Sequence, residues 1–141
     1  MKQKLTLILI FTICLTVYGV QSEDKFINAL SNCSSYHESG NVNVQGINVT
    51  SEKQIYGWRN NKCTYKENIN MGGINTNIVC GFTKSQIHEI GSVADAYALT
   101  LKYSGANAEI PSLDNVENNP IANVFNKYLR DPSVCTINSM Q

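Results

Sequence analysis

The chain has 141 residues, a length that suits one globular domain, and its eleven basic side chains balance its eleven acidic ones. Surfaces that bind nucleic acid need clustered Lys and Arg to displace counterions from phosphates, and this sequence contains no basic run. The composition therefore argues against a nucleic-acid partner.

The first 22 residues have the layout of a secretory signal peptide. Lys2 and Lys4 precede an apolar stretch at 5–17, and small and polar residues follow it. The apolar core of roughly 13 residues is shorter than the ~20 that a membrane-spanning helix needs. We predict cleavage after Ser22, with Gly19 as the second choice; the alternative is an uncleaved N-terminal anchor. We expect residues 23–141 to form one α+β domain without a stable membrane span.

Four cysteines lie beyond the predicted signal peptide: Cys33, Cys63, Cys80 and Cys135. An even number in an exported chain predicts two disulfides. Their wide spacing contains no Cys-x-x-Cys pair, so zinc-binding and thioredoxin-like sites lack the required geometry. We expect no metal site and no cofactor.

The N-terminal part of this domain predicts a helix at 23–30, a connection at 34–40 and an alternating strand pattern at 41–49. The apolar phase shifts by one residue at Gly46, where we expect a bulge or a tight turn.

The strongest strand signal is a hairpin formed by residues 53–59 and 62–70. Asn60 and Asn61 lie between the two strands, and both can adopt the positive φ angles of a two-residue turn. Alternate side chains of each strand then point to a buried face and to a solvent-exposed face, and this pattern places Ile55 on the solvent-exposed face. The side chains predicted to share the buried face are Tyr56, Trp58, Cys63, Tyr65 and Ile69, with Glu67 among them.

A further strand at 74–82 follows the residues Gly72 and Gly73. If the loop contains only Gly72 and Gly73, Cys63 lies diagonally from Cys80. If the loop spans 70–73, the two cysteines lie directly opposite each other. Because a directly opposed pair, ~4.5–5.5 Å apart between Cα atoms, fits a disulfide, we predict the longer loop and a Cys63–Cys80 bridge. The remaining pair is then Cys33–Cys135.

Two helices complete the pattern. Thr83 and Gln86 form a capping box ahead of an apolar stripe that ends near Gly105. After a loop at 105–112 and a short turn at 113–117, Asn119 and Pro120 mark the start of a second helix. The predicted fold is α+β: an antiparallel four-stranded meander with an N-terminal helix and two C-terminal helices packed on one face, and two disulfides.

Few residues suggest chemistry. His37 and His88 are each followed by a glutamate, but neither has the second histidine of a zinc-protease helix, and surface positions are the simpler interpretation. Aromatic residues of the hairpin suit stacking on a ligand if their face is open, although core packing is favoured. We predict no catalytic residue. The candidate ligand contacts are Tyr56, Trp58, Tyr65, His37 and His88.

These features favour a small exported protein, secreted or periplasmic, that binds an unidentified protein or small molecule without catalysis. One alternative is an inhibitor that presents the loop 105–111 to a protease or glycosidase. Another is a small hydrolase using His37 or His88 with a carboxylate. Asn32 and Asn48 begin glycosylation acceptor patterns, which matter only in a eukaryotic secretory pathway.

Overall fold

The structure, a computed structural model, describes residues 20–103 and 119–140. Residues 1–19 of the predicted signal peptide, the loop 105–111 and the turn 113–117 lie outside these ranges. The elements, in chain order, are α1 (Val20–Asn32), β1 (Tyr36–Val44), β2 (Ile47–Arg59), β3 (Lys62–Met71), β4 (Ile74–Phe82), α2 (Lys84–Tyr103), α3 (Pro120–Leu129) and β5 (Cys135–Met140).

The strands form one antiparallel sheet in the order β1-β2-β3-β4-β5. The predicted α+β meander with one N-terminal and two C-terminal helices is confirmed. The sheet has five strands rather than the predicted four, because β5 was not predicted. The sequence of β5, Cys-Thr-Ile-Asn-Ser-Met, is short and polar, so its alternation is a weak strand signal. It pairs with β4, where Cys135 lies directly opposite Cys80.

Three two-residue turns connect the first four strands. Both central residues of each turn have a positive φ, between 50° and 89°. This backbone geometry matches the right-handed twist of the flanking strands, and glycine and asparagine adopt it at low cost. Because the turns are so short, each fixes the pairing of its two strands. The central residues are Gln45 with Gly46, Asn60 with Asn61, and Gly72 with Gly73.

The predicted Cys63–Cys80 and Cys33–Cys135 bridges are wrong because the turn between β3 and β4 is shorter than expected. With only Gly72 and Gly73 in the turn, Cys63 lies opposite Phe82, and Cys80 lies opposite Tyr65. The two cysteines are therefore diagonal neighbours, a spacing too wide for an unstrained bridge.

The disulfides join Cys33 to Cys63 and Cys80 to Cys135, with Cα atoms 5.8 Å and 4.1 Å apart. The first joins Cys33, the residue after the end of α1, to Cys63 of β3. The second joins directly opposed positions of β4 and β5. Each of the adjacent strands β3 and β4 is thus tied covalently to another part of the fold.

A bulge in β2 corrects the predicted faces of the first hairpin. Ile55, rather than Tyr56, lies opposite Tyr65, and Gly57 lies opposite Thr64. Tyr56 is the extra residue, and Gly57 has a φ of +84°, a conformation that glycine adopts readily at bulges. Ile55 is consequently fully buried, contrary to the prediction.

One face of the sheet, termed here the inner face, packs against all three helices. Phe26 of α1 and Phe125 of α3 each contact the ring of Tyr65, with centroids 5.6 Å and 5.7 Å apart. Ile87 and Ile90 of α2 join the same core. The opposite face, termed the outer face, carries the alternate residues of every strand, most of which are exposed or half-buried.

The predicted helix starts are confirmed in detail. The backbone N–H of Thr83 donates to the side chain of Gln86, and the N–H of Gln86 donates to the Thr83 hydroxyl, which is the reciprocal capping box. The Asn119 side chain accepts hydrogen bonds from the backbone N–H groups of Ile121 and Ala122. Both helices therefore start where local hydrogen bonding satisfies their first amides.

A polar contact ties α2 to α3. The Glu89 carboxylate accepts hydrogen bonds from Lys127 Nζ, at 2.8 Å, and from the Tyr128 hydroxyl. The bond from Lys127, followed by that from Tyr128, lowers the pKa of Glu89. Burial and the neighbouring carboxylate raise the pKa of Tyr128, so its hydroxyl keeps the proton that it donates.

Replacing Glu89 tests this tie through its pH dependence. Because the folded-state pKa of Glu89 is lowered, its ionised form adds stability above the ordinary glutamate pKa, and this contribution disappears as the pH falls through the lowered value. We expect Glu89→Gln to lower the free energy of unfolding at neutral pH, and the difference from wild type to shrink below about pH 4. Urea unfolding across this range measures it; a pH-independent difference would contradict the assignment.

Tryptic mapping under non-reducing, denaturing conditions tests the disulfides, because cleavage after Lys62, Lys66 and Lys84 places the four cysteines in separate peptides. We expect peptide 26–53 to be linked to 63–66, and 67–84 to 131–141. Loss of either bridge should reduce the free energy of unfolding by about 4 kcal/mol, given loops of 30 and 55 residues. A linked pair of 63–66 and 67–84 would show that the register of β3 and β4 is wrong.

Candidate binding site on the outer face

The outer face holds a depression of about 760 Å³ that crosses the sheet from β1 to β5. Five neighbouring strands give it a width of about 19 Å. Its volume falls in the range of pockets that hold small ligands. Strands β1 to β4 each contribute two outer-face side chains to its lining, and Met140 of β5 closes one side.

Paired asparagines form the centre of the depression. Asn68 and Asn70 of β3 lie directly opposite Asn77 and Asn75 of β4. The Asn70 Nδ2 group donates to Asn75 Oδ1 at 2.6 Å, and the Asn77 Nδ2 group donates to Asn68 Oδ1. The donor thus lies on β3 in one pair and on β4 in the next.

These two bonds leave an alternating pattern of polar groups. An asparagine side chain carries one carbonyl oxygen and an NH2 group with two donors, and each pair uses one carbonyl and one N–H. The bonds do not engage the NH2 groups of Asn68 and Asn75 or the carbonyls of Asn70 and Asn77. Asn70 and Asn77 also keep their second N–H, so unengaged carbonyl oxygens alternate with unengaged NH2 groups along and across the two strands, and every asparagine keeps at least one donor.

Strands β1 and β2 extend the polar lining. Ser39 lies opposite Glu52, and Asn41 lies opposite Thr50. His37, one position further along this face, has its Nε2 atom 2.9 Å from the Glu52 carboxylate, and both side chains are about half exposed. This part of the depression offers hydroxyls, an amide and one carboxylate held by an imidazole.

Tyr56, the bulged residue, lies with two cations toward the Asn60–Asn61 turn. Arg59 Cζ and Lys66 Nζ are 5.2 Å and 5.3 Å from the centre of its ring. Lys66 is an exposed residue opposite Gln54 on the outer face, which places Tyr56 on that face as well. Cation–π contacts of this kind hold a half-buried aromatic side chain in position.

Two of the five predicted ligand contacts, His37 and Tyr56, lie on the outer face, but neither is among the residues that line the depression. Tyr65 is buried in the core, where it packs on Phe125. Trp58 pairs with Cys63 as predicted but is 43% exposed at the end of β2. His88 lies on α2, where its ring faces the Ser92 hydroxyl.

The asparagine pairs were not predicted from the sequence. Their signal is the alternation Asn-x-Asn at 68–70 and again at 75–77, on two strands joined by a short turn. Without the turn length the two runs cannot be aligned, because a slip of one residue would place them on opposite faces.

Glu67 and its neighbours form a separate polar cluster on the inner face. Glu67 is 3% exposed and accepts hydrogen bonds from the Ser51 hydroxyl at 2.9 Å and the Tyr65 hydroxyl at 2.6 Å. Lys53, also buried, lies directly opposite Glu67 in β2, with its Nζ atom 5.0 Å from the centre of the Phe26 ring. The predicted burial of Glu67 is confirmed, and both of its carboxyl oxygens have hydrogen-bond partners within the core.

Comparisons with family models, with curated proteins and with solved structures gave no match, so the site is interpreted from its own geometry. Across 20–103 and 119–140, no helix has both the length and the apolar character needed to cross a bilayer. The same ranges contain no group of three or more His, Cys, Asp and Glu side chains placed to hold a metal ion.

The distinction between inner-face and outer-face tyrosines can be tested by removing each hydroxyl. Tyr65→Phe leaves Glu67 without a short, buried hydrogen bond, so we expect it to reduce the free energy of unfolding by about 1–3 kcal/mol. Tyr56→Phe is the matched control and should change it by less than about 0.5 kcal/mol. Urea denaturation measures both; equal effects would contradict the assigned faces.

Proposed function

We propose that this chain is an exported, non-catalytic binding protein that takes its ligand in the depression on the outer face of the sheet. The observation that carries the proposal is the division of polar groups between the faces. Helices cover the inner face, and its charged residues are satisfied within the core, whereas the depression presents amides and hydroxyls to solvent. Convergent polar groups in a concave surface are typical of ligand sites.

Rigidity of the site supports the same proposal. The disulfides anchor Cys63 of β3 and Cys80 of β4, and these two strands carry the asparagine pairs. Both cysteines are buried on the inner face of these strands, beyond the end of the depression that Asn68 and Asn77 mark. A site held in its binding geometry before the ligand arrives loses less conformational entropy on binding.

Export is supported by two independent features. Structural disulfides form and persist mainly in oxidising compartments. The first 22 residues carry the charge and apolar pattern of a signal peptide. Together they favour a secreted or periplasmic location, where the depression would meet extracytoplasmic ligands.

The hydrolase alternative retains one supporting observation, the contact between His37 and Glu52 at the edge of the depression. A histidine held by a carboxylate is a common acid–base arrangement. Turnover of a bound compound that disappears in His37→Ala would favour this function over simple binding. The inhibitor alternative concerns the segment 105–111, which lies outside the described residues.

A blocking variant tests the proposed site. Thr50 is exposed in the middle of the depression, so Thr50→Arg should fill it with a large charged side chain while the fold stays intact. The matched control is Asn28→Arg on the exposed surface of α1. The probes are neutral oligosaccharides, acidic oligosaccharides and short peptides, each titrated into 15N-labelled protein and followed by amide chemical shifts.

We expect at least one probe class to shift amides of the outer face, with binding at least about tenfold weaker in Thr50→Arg and unchanged in the control. Shifts confined to the helical layer, equal binding by both variants, or no shift with any class would each contradict the proposal.

A further inference from the structure

We propose that the ligand of the outer-face depression is a neutral oligosaccharide, recognised through its hydroxyl groups by the paired asparagines of β3 and β4. This inference rests on the proposed binding function and specifies its ligand class. It follows from three properties of the depression: the pattern of donors and acceptors, the near absence of charge in its described lining, and its extended shape.

The hydrogen-bonding pattern suits neighbouring hydroxyl groups. A sugar hydroxyl is both a donor and an acceptor, so a row of hydroxyls is best matched by donors and acceptors that alternate at short spacing. Asn68 and Asn75 present NH2 groups, and Asn70 and Asn77 present carbonyl oxygens, across strands about 4.8 Å apart. The mutual hydrogen bonds also hold each amide in place, so its unused group keeps a fixed direction.

Charge distinguishes a neutral from an acidic ligand. Among the described residues that line the depression, Glu52 is the single ionisable side chain. A carboxylate at this position repels a polyanion, but it can accept a hydrogen bond from a neutral hydroxyl. Three cations of this face, Arg59, Lys62 and Lys66, are outside the lining, and two of them, Arg59 and Lys66, lie over the Tyr56 ring.

Shape distinguishes a saccharide chain from a peptide or a single sugar. Sheets bind extended peptides mostly through backbone groups at an edge strand, whereas this depression lies on a face and offers side-chain amides and hydroxyls. Its width of about 19 Å across five strands exceeds one sugar ring and favours a short linear chain.

Isothermal titration calorimetry tests the ligand class with neutral hexasaccharides of glucose, mannose, xylose and N-acetylglucosamine, and with an acidic hexasaccharide of galacturonic acid. We expect one neutral chain to bind. Its affinity should change less than about twofold when the ionic strength rises from about 0.1 M to about 1 M, which shortens the Debye length from about 10 to about 3 Å.

Removal of single amides tests the recognition itself. Asn68→Ala and Asn75→Ala each remove one donor of the pattern and should weaken binding about two- to tenfold. The matched control is Asn28→Ala, which also breaks an exposed asparagine–asparagine hydrogen bond, but on α1; it should bind as wild type. Equal affinity of the β3, β4 and α1 variants would overturn the inference.

The failure of this inference can be distinguished from failure of the binding function. If only the acidic saccharide or a peptide shifts outer-face amides, and Thr50→Arg blocks it, the function stands and the neutral-saccharide assignment is wrong. If no neutral chain binds at millimolar concentration, the assignment is overturned as well. If no probe shifts the outer face, both proposals fail.

Discussion

The register of the antiparallel sheet is the constraint on which the rest of this structure depends. Each of the first three connections has only two residues, and their left-handed conformations leave the strands a single alignment. A shift of one residue would exchange the faces of a strand. These turns place Tyr65 and Phe82 on the core face and align four asparagines on the outer face. They also make Cys63 and Cys80 diagonal neighbours, which do not pair with each other.

The two faces of the sheet use polar residues in different ways. On the inner face, the carboxyl oxygens of Glu67 accept hydrogen bonds from hydroxyls of its own strand and of β2, so this polar side chain is satisfied within the core. On the outer face, Asn68 and Asn77 satisfy each other only in part and keep groups for a further partner. The same strands therefore provide a closed network on one side and an open one on the other. Disulfides at Cys63 and Cys80 anchor β3, which contributes residues to both networks, and β4, which contributes to the outer one.

Much of the fold could be predicted from local signals, because hairpin turns, capping residues and apolar periodicity act over a few positions. The Asn60–Asn61 turn and the capping box at Thr83 are examples. The bridges could not be predicted in this way, since a choice between two loop lengths at Gly72 decided which sulfurs meet. The bulge at Tyr56 exchanged the faces of Ile55 and Tyr56, and the weak pattern of β5 hid the partner of Cys80. The candidate site depends on strand alignment and was therefore found only in the structure.

The register of β3 and β4 is tested most directly by cross-strand proton contacts in the NMR spectrum of the isotopically labelled protein. The structure predicts contacts between directly opposed residues: Cys63 with Phe82, Tyr65 with Cys80, and Asn68 with Asn77. Contacts between Cys63 and Cys80 as directly opposed residues would instead require a longer loop. That result would exclude the alignment of the asparagine pairs and the site built on it.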